Sequence, residues 1–363
     1  MRIKEQLIGL TPYKPGKPME EVKRELGLDK VTKLASNENP FGCSEKAKEA
    51  IRNSLEELAI YPDGYSAELR ETIAKHLNIK KEQMIFGNGS DEIIQIICRA
   101  LLHKDTNTVT AHPTFPQYRH NAVIEGAETR QVENINGAHD LEGMLEAIDE
   151  KTRIVWVCTP NNPTGTYIDE QTLRHFIERV PKDVLVVVDE AYYEYVVAED
   201  YPDTLKWIDE FPNMVVLRTF SKAYGLAALR IGYGVANEKL IEAIEPAREP
   251  FNTSRIAQKA AIAAIEDPDF LQSCREANRS GMAQFEAFCK EYGFDYYPSQ
   301  ANIMLIDFKT SGDIVFDYLI RHGYIVRSGE ALGYPTAVRI TVGSTEQNQE
   351  IIEVLTKFVK EKC

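Results

Sequence analysis

Two short, uninterrupted apolar runs constrain the fold of this chain more than any other feature. They are Ile154-Val-Trp-Val-Cys158 and Val184-Leu-Val-Val-Val188, and neither alternates polar with apolar residues. Strands of this kind suit the centre of a parallel sheet that helices cover on both faces. A further strand is predicted over 214–217, and apolar residues at helical spacing occupy 91–102. The sequence therefore predicts an α/β fold whose large domain is built on a mostly parallel, doubly wound sheet.

The pattern changes along the 363-residue chain, and the changes predict three parts. Residues 1–30 mix prolines with charges, and we expect them to form an arm that packs with the smaller domain. Strands and helices alternate over 31–245, which is the predicted large domain. A long helical stretch over 257–291 and several short strands follow, and they predict a smaller α+β domain over 246–363.

Composition and charge narrow the class of protein. The net charge of −14 disfavours nucleic acid as a partner, because proteins bind phosphate backbones through an excess of Lys and Arg. The six cysteines form no CxxC pair and the seven histidines no HExxH pattern, so we expect reduced thiols and no protein-held metal. The first ten residues lack the apolar core of a signal peptide, and no apolar run reaches membrane-spanning length. We therefore expect a cytoplasmic protein without a membrane partner.

Residues that can carry chemistry follow four of the predicted strands. These segments are Gly87–Asp91, Thr159–Gly165, Asp189–Tyr192 and Thr219–Arg230. In open α/β sheets, ligands bind beyond the carboxyl ends of the strands. We therefore expect the four segments to meet in one site.

The first two segments have structural alternatives. Gly87-Asn-Gly-Ser-Asp91 offers glycines and a helix N-terminus to an anion, but it also fits a plain turn with an Asp cap. A dinucleotide-binding fingerprint is disfavoured, because Glu92 occupies the place of its third glycine. The loop Thr159-Pro-Asn-Asn-Pro-Thr-Gly165 is rigid and can present an amide to a ligand, although such loops are usually structural.

The other two segments carry the charged groups. A carboxylate at Asp189, after so apolar a strand, costs several kcal/mol to desolvate unless a cation pairs with it, although a helix cap is the simpler alternative. Lys222 lies among hydroxyls and apolar residues, where desolvation lowers the pKa of an amine and favours a nucleophile able to form a Schiff base. Thr219, Ser221 and Arg230 together could hold a phosphate.

Taken in order, these elements match no common hydrolase, kinase or metal pattern, and they do match the needs of pyridoxal phosphate. The sequence resembles the fold-type I, pyridoxal-phosphate-dependent aminotransferases, and within them the histidinol-phosphate aminotransferase family. The resemblance covers nearly the whole chain. Its motifs are Leu10-Thr-Pro-Tyr13, Leu34-Ala-Ser-Asn-Glu-Asn-Pro-Phe-Gly42, Gly87-Asn-Gly-Ser-Asp-Glu92, Asn161-Asn-Pro-Thr-Gly165, Asp189-Glu-Ala-Tyr192, Ser221-Lys222 and Leu229-Arg-Ile-Gly232.

The resemblance implies a role for each cofactor-binding residue. Lys222 would form the Schiff base with pyridoxal 5′-phosphate and shuttle the proton, and Asp189 would pair with the ring nitrogen. Tyr192 and Asn162 would bind the ring hydroxyl oxygen, and Phe115 would stack on the ring. The phosphate would be bound by Gly89, Ser90, Asp91, Thr219, Ser221 and Arg230. Tyr61 would reach the cofactor phosphate of the neighbouring subunit, which implies a homodimer.

The resemblance also implies the substrates. Arg339 and Arg327 would bind the phosphate of histidinol phosphate, with Tyr13 and Asn37 nearby, although arginines on surface strands are commoner than ligand clamps. The same arginines would bind 2-oxoglutarate, the expected amino acceptor. A pocket that admits imidazole could also admit the rings of aromatic amino acids.

Two alternatives stay open from the sequence. A pyridoxal-phosphate-dependent decarboxylase of threonine phosphate shares this scaffold and a phosphorylated substrate. A non-catalytic, aminotransferase-like binding protein, such as the sensor half of a transcription regulator, would need a DNA-binding extension, and the arm is too short and insufficiently basic for one.

Overall fold

The computed structural model describes residues 3–12 and 16–362. The strands are β1 (Thr32–Lys33), β2 (Met84–Gly87), β3 (Asn107–His112), β4 (Glu128–Glu133), β5 (Thr152–Cys158), β6 (Leu185–Asp189), β7 (Met214–Thr219), β8 (Gly232–Ala236), β9 (Asp295–Tyr296), β10 (Ile303–Asp307), β11 (Tyr324–Ile325), β12 (Arg327–Ser328) and β13 (Ala337–Thr341). The α-helices are α1 (Met19–Leu26), α2 (Glu45–Asn53), α3 (Ala67–Leu77), α4 (Ser90–Leu101), α5 (Gln117–Glu125), α6 (Leu141–Glu146), α7 (Glu170–Arg179), α8 (Glu238–Ile244), α9 (Arg255–Ile265), α10 (Pro268–Tyr292), α11 (Gly312–Arg321) and α12 (Thr345–Lys362).

Seven strands form the main sheet, in the order β2-β8-β7-β6-β5-β3-β4. The strands from β7 to β4 pair in parallel, and β8 is antiparallel to both of its neighbours. The two apolar runs form β5 and β6 near the middle of this sheet. Both faces of each strand are buried there, which explains why polar residues do not alternate with apolar ones. Val155 and Val157 pack against the core that includes α3, α6, α7 and α9, whereas Ile154 and Trp156 pack against α4, α5 and α8. The predicted α/β fold class is confirmed.

A second, smaller sheet lies in the C-terminal part of the chain. Its four antiparallel strands have the order β12-β13-β10-β9, and α10, α11 and α12 share one apolar core with β10 and β13. The short strands β1 and β11 pair in parallel, so the segment that precedes the large sheet is hydrogen-bonded to the small domain. Val22 of α1 packs with Ile320 and Ile325 of the same region. Among the described residues, no helix has the length and apolar character needed to cross a bilayer.

The long helix expected over 257–291 is wrong in one respect, because two helices occupy this range. α9 ends at Ile265, and α10 begins with Pro268 at its first position. Proline disfavours helical geometry in the residue before it and has no N–H to donate, so it starts a helix more readily than it continues one. The alanines of α9 pack with Ala47, Leu69 and the core of the main sheet. The predicted domain boundary at residue 246 stays a prediction. Helix α9, which follows it, packs against the main sheet rather than the small one.

A buried ion pair links the carboxyl ends of β6 and β7. Arg218 donates from Nε and Nη2 to Oε2 of Glu190, at 3.0 and 2.8 Å, and both side chains are fully buried. Thr204 Oγ1 donates to the other carboxylate oxygen at 2.7 Å, and the guanidinium lies 3.5 Å from the centre of the Tyr193 ring. The pair is thus hydrogen-bonded on several sides. The ion pair therefore connects β6 and β7, the two strands whose carboxyl ends carry Asp189 and lead to Lys222.

We predict that Glu190→Ala lowers the free energy of unfolding by about 3–5 kcal/mol, because it leaves the Arg218 charge buried without its carboxylate. Urea titration measures this loss. The control is Glu178→Ala, which removes an exposed partner of Arg174 and should cost at most about 0.5 kcal/mol. Equal losses in the two variants would contradict the structural role of the buried pair.

Candidate active site

The four segments expected to meet do follow β2, β5, β6 and β7, and their residues line one cavity of about 370 Å³. The predicted site residues that line it are Gly89, Ser90, Asp91, Phe115, Asn162, Asp189, Tyr192, Thr219, Ser221, Lys222 and Arg230. Parallel strands bring their carboxyl ends to one edge of a sheet, which is why segments so far apart in the sequence converge there. Their individual roles remain predictions.

Lys222 presents its amine to this cavity from the loop after β7. A tight turn follows the lysine, with Gly225 N–H donating to Lys222 O at 2.9 Å. Gly225 has φ +70°, and a Cβ there would lie 1.8 Å from the carbonyl oxygen of Gly42, so only glycine fits. Lys222 Nζ donates to Ser36 O at 3.2 Å. Desolvation, together with the charge of Arg339, lowers the pKa of the amine to about 8, so about a tenth of it is neutral and nucleophilic at pH 7.

Asp189 ends β6 with its carboxyl group buried in the cavity wall. Oδ2 accepts a hydrogen bond from Tyr118 Oη at 2.7 Å, and Oδ1 accepts one from Ala191 N at 3.2 Å. Burial raises the pKa of the carboxyl to about 6. Within residues 3–12 and 16–362, no Lys or Arg forms a salt bridge with it. Because the described residues supply no cation here, we expect the partner of the carboxylate to come from a ligand.

A candidate anion site lies at the N-terminus of α4. Arg230 donates from Nη1 to Ser221 Oγ at 3.1 Å and from Nη2 to Asp91 Oδ2 at 3.2 Å. Gly89 precedes the helix with φ +74°, and a Cβ there would lie 2.7 Å from Arg230 Nη2. The first N–H groups of a helix have no partner within the helix. Together with the guanidinium and the hydroxyl of Ser221, they form a set of donors that suits a phosphate.

A polar network connects the cavity to the small sheet. Asn37 Nδ2 donates to Tyr192 Oη at 2.7 Å, which leaves the hydroxyl proton of Tyr192 for another acceptor. Arg339 Nη1 donates to Asn162 Oδ1 at 2.6 Å, and Nη2 donates to Ala35 O at 2.6 Å. Asn162 and Tyr192 line the cavity, whereas Arg339 and Asn37 stand behind them.

The remaining predicted residues lie outside the cavity wall. Arg327 of β12 is the register partner of Arg339 in β13, so the two arginines are directly opposite each other on one face of the small sheet. Tyr61 is 77% exposed and stacks on Phe251, with ring centres 5.0 Å apart, away from this chain's own cavity. Tyr13 lies outside the described residues.

Sequence reasoning missed Tyr118, which is the side chain that hydrogen-bonds Asp189. It follows the predicted stacking residue Phe115 by three positions, and their rings meet edge to face at 5.6 Å. Phe115 lies two residues before α5 and Tyr118 is the second residue of this helix, so two aromatic residues at a helix start could have indicated the pair. The backbone carbonyl of Ser36 was also missed, because nothing in a sequence marks a main-chain acceptor.

The fold and the site define a class of enzyme. The family model for aminotransferases of class I and II matches residues 29–355, and the chain belongs to this family. More particularly, its full-length relatives are histidinol-phosphate aminotransferases. It is 64% identical to the one from Anoxybacillus flavithermus (strain DSM 21510 / WK1), over 100% of this chain and 98% of the relative. It is 63% identical to that of Bacillus subtilis (strain 168), over 99% of this chain and 100% of the relative.

Solved structures agree with this assignment. Histidinol-phosphate aminotransferase from Sinorhizobium meliloti, in complex with pyridoxal-5′-phosphate, superposes with a TM-score of 0.91 at 26% identity. The match covers 99% of this chain and 98% of that chain. The predicted family and its cofactor, pyridoxal 5′-phosphate, are confirmed. The residues fit the group, because the cavity combines an amine of lowered pKa, a buried carboxyl without a protein cation and a helix N-terminus beside an arginine.

We predict that Gly89→Ala weakens the binding of pyridoxal phosphate about tenfold, because the new Cβ displaces the guanidinium of Arg230 from the anion site. Titration of cofactor-free protein with pyridoxal phosphate measures the change. Gly27→Ala is the matched control, since Gly27 has a similar φ of +66° but no atom near its Cβ position. Alanine is more strained at position 89, where ψ is 174°, than at position 27, where ψ is 34°, so thermal unfolding of both cofactor-free variants measures the cost of strain separately. Equal cofactor affinity in the two variants would contradict the proposed anion site.

Proposed function

We propose that the protein transfers the amino group of histidinol phosphate to 2-oxoglutarate, giving imidazole-acetol phosphate and glutamate. The reaction belongs to histidine biosynthesis. The observation that carries the proposal is the cavity that joins Lys222, Asp189 and the anion site, in a chain about as long as its histidinol-phosphate aminotransferase relatives. When bound, pyridoxal phosphate supplies an aldehyde that condenses with amines and a ring that accepts the electron pair released at the substrate carbon.

Two residues carry the proton chemistry. Lys222 Nζ, neutral in part near neutral pH, would hold the cofactor at its aldehyde carbon and, once the substrate amine has displaced it there, would be free to move a proton to and from the substrate carbon that bears the nitrogen. Asp189 would hold a proton on the ring nitrogen, because its buried carboxylate would gain a cation by doing so. The low polarity around both groups strengthens these interactions.

Other residues orient the cofactor. Tyr192 Oη already accepts a hydrogen bond from Asn37, so its O–H would be available to the ring oxygen. Asn162 Oδ1 accepts from Arg339, so its amide N–H₂ would be available to the same oxygen. Ser221, Arg230 and the first N–H groups of α4 would hold the phosphate. Phe115 lines the cavity and would cover one face of the ring.

The small sheet supplies the charge that selects the substrate. Like charges directly opposite each other on neighbouring strands repel, so the Arg327–Arg339 pair favours an anion between or near the two guanidinium groups. A phosphate ester and the side-chain carboxylate of 2-oxoglutarate both satisfy this requirement. Asn37 is hydrogen-bonded to Thr341, two residues after Arg339 in β13, and it would lie near the bound substrate.

We predict that the protein forms glutamate from 2-oxoglutarate and histidinol phosphate. Lys222→Ala should abolish this activity, and it should abolish or shift the visible absorbance band of the bound cofactor. Coupled glutamate detection and an absorbance spectrum measure the two effects. Lys206→Ala, which removes an exposed lysine, is the control and should change neither.

Carbon dioxide released from threonine phosphate without glutamate would instead support the decarboxylase. A panel of aromatic amino donors in the same assay defines how widely the ring pocket accepts substrates.

We further propose that the active enzyme is a homodimer. The side chains around Tyr61 are apolar and largely exposed in the single chain, which is typical of a surface that a partner covers. They are Leu55, Leu58, Ile60, Tyr65 and Phe251. A second copy of the chain would cover them and bring Tyr61 to the neighbouring cofactor phosphate.

We predict complementation between two defective variants, Tyr61→Ala and Lys222→Ala. Each homodimer lacks a required group in both sites, but a mixed dimer has one complete site. Coexpression should therefore recover about a quarter of the wild-type activity if subunits pair at random. No recovery, or a monomer in sedimentation analysis, would contradict the shared site.

A further inference from the structure

A buried aromatic cluster lies behind Asp189, and the hydroxyl of Tyr118 belongs to it. The proposed reaction assigns no role to this hydroxyl. Tyr118 lies in the first turn of α5 and is fully buried. Its ring stacks on Trp156 at 4.8 Å with an interplanar angle of 11°, and meets the edge of Phe115. Trp156 is itself fixed, because its Nε1–H donates to Thr108 Oγ1 at 2.7 Å. The phenol therefore has one orientation, and that orientation puts Oη on Asp189.

We propose that Tyr118 is a positioning residue, whose hydroxyl holds the Asp189 carboxylate ionised and oriented for the ring nitrogen of the cofactor. The inference rests on the proposed role of Asp189. Tyr118 does not line the cavity, so it acts only through Asp189. A hydrogen bond from a neutral donor to a charged acceptor is stronger than one between neutral groups.

The Tyr118 hydroxyl donates its hydrogen bond to the ionised form of the Asp189 carboxyl, so the bond lowers the pKa of this group. Burial raises the pKa of Asp189 to about 6, and the Tyr118 hydrogen bond opposes that rise. Burial also raises the pKa of the phenol well above its usual value, so Tyr118 keeps its proton and stays a donor. Without the hydroxyl, the pKa of the carboxyl moves up towards the working pH. A neutral carboxyl then cannot hold the ring proton.

Other titratable groups around Asp189 do not provide this donor. Asp91 and Glu190 raise its pKa through their negative charges, although Arg230 and Arg218 bind them. Cys158 and Tyr192 face the carboxyl too, and burial keeps both protonated at neutral pH. In the part of the chain that the structure describes, Tyr118 is the side chain that donates a hydrogen bond to Asp189.

The test is Tyr118→Phe, which deletes the hydroxyl and keeps the stacked ring. The dissociation constant of pyridoxal phosphate, measured by titrating cofactor-free protein, should rise about tenfold. The acid-side midpoint of cofactor binding should move up by about one pH unit, since the carboxyl protonates earlier. Tyr324→Phe is the matched control. It also removes a buried phenol from a carboxylate, that of Glu350, but it lies in the small domain and should change neither quantity.

A double-mutant cycle with Asp189→Asn separates positioning from packing. In the Asn background, Tyr118→Phe should have almost no further effect on cofactor affinity, because the carboxylate that it serves is gone. An unchanged affinity and midpoint in Tyr118→Phe, or an equal loss in both backgrounds, overturns the proposal. Thermal unfolding of each cofactor-free variant identifies any loss that comes from stability alone. If the wild-type protein itself captures no pyridoxal phosphate through Lys222, the proposed function fails, and the inference fails with it.

Discussion

The desolvation of one carboxyl group, that of Asp189, determines much of what this site can bind. An ionised carboxylate in a protein interior costs several kcal/mol unless a cation or hydrogen bonds compensate. Here the protein supplies two hydrogen bonds, from Tyr118 and from the backbone of Ala191, and no cation among the described residues. The remaining compensation is left to the ligand. In the proposed function a protonated ring nitrogen would supply it, so the cost of burying the Asp189 carboxylate would favour the binding of a heteroaromatic cation.

The alternation of a β-strand explains how two adjacent acids serve different purposes. Side chains of Leu185 and Val187 point to the face that contains Trp156, whereas Val186 and Val188 point to the opposite face. Asp189 continues the first series and meets Tyr118, and Glu190 falls on the other side, where Arg218 neutralises it. A one-residue offset thus separates a structural ion pair from a carboxyl reserved for the ligand. A shift of register by one residue would exchange the two.

The sequence predicted the sheet, the convergence of four strand ends and most of the cavity wall, because apolar runs and the segments that follow them are local signals. The break between α9 and α10 was missed, although Pro268 marks it, since the helical pattern on either side is strong. Tyr118 was missed for a different reason. Its function depends on contacts with Asp189 and Trp156, which are far away in the chain, and one aromatic residue in a helix resembles any core residue.

The segment Leu34–Asn37 connects the small sheet to the cavity at the edge of the main sheet. Leu34 O accepts from Thr341 N at 2.8 Å, Ala35 O accepts from Arg339, and Ser36 O accepts from Lys222 Nζ. Three successive carbonyls therefore connect Arg339 and its strand to the amine of Lys222. Because the three acceptors belong to one short stretch of backbone, the two side-chain donors are held at neighbouring positions along it. In the proposed reaction, a substrate with both an anionic group and an amine would meet Arg339 and Lys222 at once, which would favour a phosphorylated amine.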